Sequence, residues 1–225
     1  MNCVKYFFFI IFFSCVVIGS QAQATRSDPV DGQGWYGAGM EFNLPKKWGA
    51  ELSYQSRFYN DLKTYYGSYL SLSVEKGLSK SFYLLGAYRL SMLTKGTYNR
   101  FTGGFVVKKK FEEVKSDLRV IYQNQVQDFD DPAKEDDRDN FVRIRLRARK
   151  SLSDRIGVLA SAEPIYQIAN GVQIDNYRFQ AGLRYSFTKQ ASLDVFYINR
   201  PDYAKSYKRQ YHILGVAFNY ELKID

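Results

Sequence analysis

The sequence predicts an all-β protein, a single antiparallel transmembrane β-barrel of about 10–12 strands with short periplasmic turns and longer extracellular loops. Three observations carry this prediction. From Trp35 onward, apolar and polar residues alternate with a period of two, and helical periodicity is absent. The alternating runs exceed the about 5–6 residues of a usual soluble strand and suit the roughly 9–11 of a tilted strand crossing a bilayer. Only one long apolar run exists, at the N-terminus, and the mean hydropathy is −0.38, so a bundle of spanning helices is excluded.

Residues 1–22 have the layout of a secretory signal. Lys5 precedes the apolar run Tyr6 to Ile18, and Ser20-Gln21-Ala22 offers small residues for cleavage after Ala22. A membrane anchor and a lipoprotein centred on Cys15 are the competing readings. The apolar run is shorter than the roughly 20 residues of a spanning helix, and Val16-Val17-Ile18 continues it past the cysteine. Residues 23–34 then form a short N-terminal extension, and 35–225 the barrel domain. Both cysteines, Cys3 and Cys15, fall inside the leader. The mature chain therefore has no disulfide framework, thiol nucleophile or Cys-based zinc site.

Eleven alternating runs follow, near 35–44, 48–59, 64–76, 80–93, 97–110, 114–127, 138–150, 154–166, 175–187, 190–200 and 206–223. Val142, Ile144, Leu146 and Ala148 against Arg143, Arg145 and Arg147 is the sharpest alternation. Residues 128–140 and 167–174 read as the longest loops. Bacterial single-chain barrels have even strand numbers, so ten or twelve strands is the expectation rather than eleven.

Periodicity does not say which face points inward. Small residues on the polar face (Ser71, Ser73, Gly104, Gly182, Gly215) suit a narrow lumen. Aromatic residues near strand ends, Trp35, Tyr36, Trp48, Phe58, Tyr166, Tyr177, Phe187 and Tyr220, suit interfacial girdles. Both favour the polar face inside and lipid outside. A soluble exported lipid-binding barrel is the opposite arrangement and the competing reading.

The net charge of +9 and a pI near 9.4 leave room for an anionic partner: nucleic acid, phosphate or lipid headgroup. A secreted chain makes nucleic acid an improbable one, which leaves outer-membrane lipid, lipopolysaccharide and small anions. Arg143, Arg145, Arg147 and Arg149 share one side of a strand about 6–7 Å apart and should form a basic column in the lumen. On the lipid side each would cost roughly 2–4 kcal/mol near the midplane. Glu163 on the following strand and Asp117 on the preceding one are the acids expected to offset their repulsion. The column either belongs to a salt-bridged plug or lines a narrow passage favouring anions.

Other chemistry is thinly represented. His212, the one histidine, shares an apolar face with Leu214, Val216 and Phe218, which suits an interfacial residue better than the base of a lipid-modifying enzyme. The acidic segment from Asp128 to Asp139 lacks the spacing and central glycine of an EF-hand, and reads as a solvated loop that divalent ions could bridge to lipopolysaccharide. No cofactor or metal site and no catalytic residues are expected.

Several segments resemble the outer-membrane β-barrel family of Gram-negative bacteria catalogued as domain-of-unknown-function 2490. They are Trp35, Glu51-x-Ser53-x-Gln55-x-Arg57, Gly86-x-Tyr88-Arg89, Arg143-x-Arg145-x-Arg147, Ala162-Glu163 and Asn176-Tyr177-Arg178-x-x-x-Gly182-Leu183-x-Tyr185. The chain departs from that pattern at Asn99-Arg100 and Gln123-x-Gln125. The resemblance implies a cell-outer-membrane location without an established activity.

Overall fold

The computed structural model describes residues 30–94, 96–127, 139–169, 171–203 and 209–224. Eleven strands form one closed barrel in which each strand pairs with its sequence neighbours. They are β1 (Val30–Leu44), β2 (Trp48–Tyr59), β3 (Thr64–Gly77), β4 (Phe82–Leu93), β5 (Gly96–Phe111) and β6 (Val114–Gln127). They continue as β7 (Asp139–Ser151), β8 (Ile156–Ala169), β9 (Gly171–Ser186), β10 (Ala191–Asp202) and β11 (Arg209–Lys223). All pairings are antiparallel except the seam, where β1 and β11 run parallel from Val30↔Gln210 to Asn43↔Lys223. The expectation of ten or twelve strands is thereby corrected to eleven. An up-and-down chain with an odd number of strands returns to its first strand in the same direction, so the barrel must close on a parallel pair.

This closure places the two ends of the described chain on opposite rims. We call the rim where β1 starts the N-terminal rim and the one where β11 stops the C-terminal rim. The C-terminal rim carries the turns at Pro45–Lys47 and residues 112–113, where Lys46, Lys47 and Glu112 take positive φ of 54°, 63° and 50°, and the N-terminal rim has short connections too, at 94–95 and between Ala169 and Gly171. The 128–140 connection belongs to the N-terminal rim, and residues 128–138 of it lie outside the described residues, as does the segment 1–22 expected to be a leader. The expected loop at 167–174 is instead strand: β8 runs to Ala169 and β9 begins at Gly171. Val172 and Ile174 alternate with Gln173 and Asp175 in this stretch, and its polar tips obscured that pattern.

β1 also begins earlier than the sequence suggested, at Val30 rather than Trp35. The cause is local. The Asp31 carboxylate accepts the backbone N–H of Asn60 at 2.7 Å and of Asp61 at 3.3 Å, and Gly32 N–H donates to the Asp61 carboxylate at 3.3 Å. Asn60, Asp61 and Leu62 all have positive φ, so Asp31 holds a turn of costly backbone conformations in place.

The two faces are sharply different. Outward side chains include Leu52, Leu70, Leu72, Ile144, Leu146, Leu183, Val195 and Leu214, all exposed. Aromatic residues flank them near the C-terminal rim (exposed Trp48, Tyr185 and Phe187) and toward the N-terminal rim (Tyr54, Tyr88, Tyr122, Tyr197). The latter group bonds to outward polar atoms: Tyr54 to Ser68 (2.7 Å), Tyr88 to Asn99 (2.5 Å) and Tyr122 to Asn140 (2.7 Å). Trp35 departs from its expected girdle position. It points inward and is 5% exposed, because it shares strand parity with Gly37, Gly39 and Glu41.

The interior is not uniformly polar. Trp35, Ile198, Tyr211 and Ile213 pack together inside the β1–β11–β10 wall with Phe196 against them. Glycine makes this packing feasible, since a Cβ at Gly215 would stand 2.1 Å from the Phe196 ring. Gly104 is tighter still against backbone: its Cβ would meet the Val120 carbonyl oxygen at 2.2 Å and Ile121 Cα at 2.7 Å. Strand pairing fixes both of those atoms. Gly104→Ala is therefore expected to cost about 1–3 kcal/mol, read as a lower urea midpoint of unfolding; an unchanged midpoint would mean the β5–β6 pair can yield.

Candidate functional site

The constellation of interest is the charged interior wall. On β7 every second residue faces inward, which puts Arg143, Arg145, Arg147 and Arg149 in one file. The acids come from the two flanking strands. Register pairs Asp117 of β6 with Arg147. On the other side Glu163 sits among the inward residues of β8.

Glu163 is 5% exposed and bridges two arginines. Arg143 binds it in a fork, Nη2 to Oε2 at 2.5 Å and Nε to Oε1 at 3.2 Å, and Arg119 Nη2 reaches Oε1 at 3.0 Å. Arg143 Nη1 also donates to Gln123 Oε1 at 3.4 Å. Asp117, 3% exposed, serves the rest of the column. Arg147 Nε donates to its Oδ2 at 2.8 Å, Arg145 Nη2 to its Oδ1 at 3.2 Å, and Arg149 Nη2 stands 3.8 Å away. Two carboxylates thus hold five guanidinium groups, with Glu51 and Glu41 within electrostatic reach of Arg147 and Arg149.

Exposure grades along the file. The side chains of Arg143, Arg145, Arg147 and Arg149 are 10%, 19%, 29% and 39% exposed in that order. Along this file burial is therefore greatest at Arg143 and falls toward the C-terminal rim. Within that stretch the Nε atoms of Arg119, Arg145 and Arg149 are buried with no hydrogen-bond partner among the described residues, as is Arg200 Nε. A buried donor left unmade costs about 1–3 kcal/mol, so water or an anion is the natural partner.

Two further groups complete the wall. Arg184 grips Asp194 with both arms, at 2.6 and 2.7 Å, and Lys108 pairs with Glu75. Arg57, Arg89, Arg100 and Arg178 make no ion pair with a described residue and rest on neutral partners. Alternation puts these arginines on the inward face but does not reveal which of them go without an ion pair, and Arg200, which bonds Asp202 at 3.4 Å, was not singled out from the sequence. Arg200 follows β10 parity from Asp194, and that was the signal available. His212 lies outside the wall, where its Nδ1 and the Tyr197 hydroxyl are 2.5 Å apart.

The fold has solved likenesses. The NanC porin superposes with a TM-score of 0.52 at 12% identity, covering 75% of this chain and 86% of that one. A bacterial polysaccharide outer membrane secretin aligns at 10% identity with a TM-score of 0.48, covering 75% and 73%. No curated protein matches the sequence. The family model described as "Protein of unknown function (DUF2490)" matches residues 32–211, and with that span inside the closed barrel, the chain belongs to this family.

Proposed function

We propose that this protein is an outer-membrane β-barrel whose interior is a narrow, basic passage for small anions. The observation that carries the reading is the inverted polarity of the wall. The outer surface is a continuous apolar band between aromatic flanks, and the inner one is a file of arginines that outnumber their acids. An arginine column survives only where water, acids or anions meet it, whereas exposed apolar side chains on every strand of the wall need lipid. A soluble lipid-binding barrel calls for the reverse arrangement.

A structural plug is the second reading, favoured by the apolar cluster of Trp35, Ile198, Tyr211 and Ile213 inside the wall. The rising exposure from Arg143 to Arg149 and the orphaned Nε donors support a wet path beside that cluster. Ionic current decides between them. In planar bilayers under a salt gradient, the wild type is expected to show an anionic reversal potential that falls or changes sign in Arg145→Glu with Arg147→Glu. No current from either protein would leave the plug.

A further inference from the structure

We infer that Arg57, Arg89 and Arg100 form a binding site for a multiply charged oxyanion inside the barrel, on an aromatic floor made by Trp35 and Tyr69. The inference rests on the interior being an anion path and names what would pause in it.

Five adjacent strands build the site. The Arg57 guanidinium is stacked between two rings, 3.8 Å from the Trp35 centroid and 4.1 Å from that of Tyr69. Arg89 lies 5.7 Å from the same Tyr69 ring. Arg89 and Arg100 are direct cross-strand partners, both facing inward. Like charges directly opposite one another destabilise a sheet, and here no acid stands between them among the described residues.

The remaining contacts show how the groups are aimed. Each Nε is anchored to a neutral oxygen of the wall: Arg57 to Gln55 (2.8 Å), Arg89 to Ser71 (2.7 Å) and Arg100 to Gln125 (3.0 Å). Arg100 Nη2 also reaches Gln125 Oε1. Holding the Nε edge against the wall turns the outer Nη donors of Arg57 and Arg89, and Nη1 of Arg100, toward the lumen, and none of these has a described partner. This differs from the β7 column, whose arginines are bound to Asp117 and Glu163.

Three planar forks without a carboxylate suit an oxyanion, because guanidinium pairs with phosphate or carboxylate through two parallel hydrogen bonds. Three positive charges in a partly desolvated wall favour an anion carrying more than one negative charge. Phosphate and polycarboxylates share that chemistry, and chloride does not.

Trp35 provides the readout. The chain has two tryptophans, and Trp48 is on the outer face, so Trp48→Phe leaves Trp35, stacked on Arg57, as the one tryptophan that red-edge excitation selects over the tyrosines. Full-length protein refolded in detergent is titrated with inorganic phosphate and, at matched ionic strength, with chloride. Phosphate is expected to change the emission saturably and chloride is not. Arg89→Gln with Arg100→Gln should raise the half-saturating phosphate concentration about tenfold or more, while Lys150→Gln, on the outward parity of β7, should leave it within about twofold. If the double variant loses its folded gel mobility, Arg57→Lys takes its place, since it keeps the charge, loses the planar stack and must also weaken phosphate. An equal response in wild type and variant, or a linear response shared with chloride, overturns the site. Saturable phosphate binding without ionic current would keep the site and remove the passage. Anion-selective current without a saturable phosphate response would do the reverse.

Discussion

Replacing Glu163 by alanine is expected to remove about 3–5 kcal/mol of folding free energy. The carboxylate is 5% exposed and is the shared partner of Arg143 and Arg119. Without it, two guanidinium groups remain at the most buried end of the file, with Arg143 keeping only its Gln123 contact at 3.4 Å. The loss should exceed that from Glu113→Ala, whose side chain is 74% exposed in its pair with Lys150, because exposed pairs contribute only about 0–1 kcal/mol. Urea unfolding of both variants in lipid vesicles makes the comparison. Equal losses would show that the interior solvates Arg143 and Arg119 as well as bulk water does.

The second large effect concerns the opposite face. Leu146 is 46% exposed on the outside of β7, between the inward Arg145 and Arg147. Leu146→Arg should destabilise the vesicle-embedded barrel by about 2–4 kcal/mol if the residue lies near the membrane midplane. A soluble barrel would tolerate that change at an exposed position within about 0.5 kcal/mol. Leu183→Arg on β9, 57% exposed, gives an independent reading of the same surface. Tolerance of both substitutions would refute the membrane setting.

Most of the wall was legible because one parity rule governs it. In β7 every outward residue from Val142 to Ala148 is apolar and every inward one basic, so faces and neighbours follow from counting. The rule weakens where both parities are apolar. In β11, Tyr211, Ile213 and Ala217 face inward while Leu214, Val216 and Phe218 face outward, and alternation alone cannot rank the two. The internal cluster around Ile213 was hidden for that reason. Trp35 was hidden by its residue type: a tryptophan near a strand end suggests an interface, but its neighbours of like parity are Gly37, Gly39 and Glu41. The missing acids beside Arg89 and Arg100 are a matter of cross-strand register, which the local pattern does not encode. Strand number was readable directly, and the even-number habit of other barrels drew the expectation away from it.

The parallel seam has a consequence for how the chain folds. Hairpins β1–β2 through β10–β11 each join strands adjacent in sequence, but β1 against β11 joins residues far apart along the chain, Val30 with Gln210. Contacts of such sequence separation form late, since the loop-closure entropy is lost before any of the pairing is gained. Until then the curled sheet has two open edges, each offering unpaired backbone groups to another chain. Because the two edge strands run in the same direction, a hairpin-like nucleus cannot start the seam. It must zip as a slanted parallel ladder along its whole length. Closure is the step at which this barrel is most exposed to mispairing with a second copy, and the step that a partner in assembly would most usefully hasten.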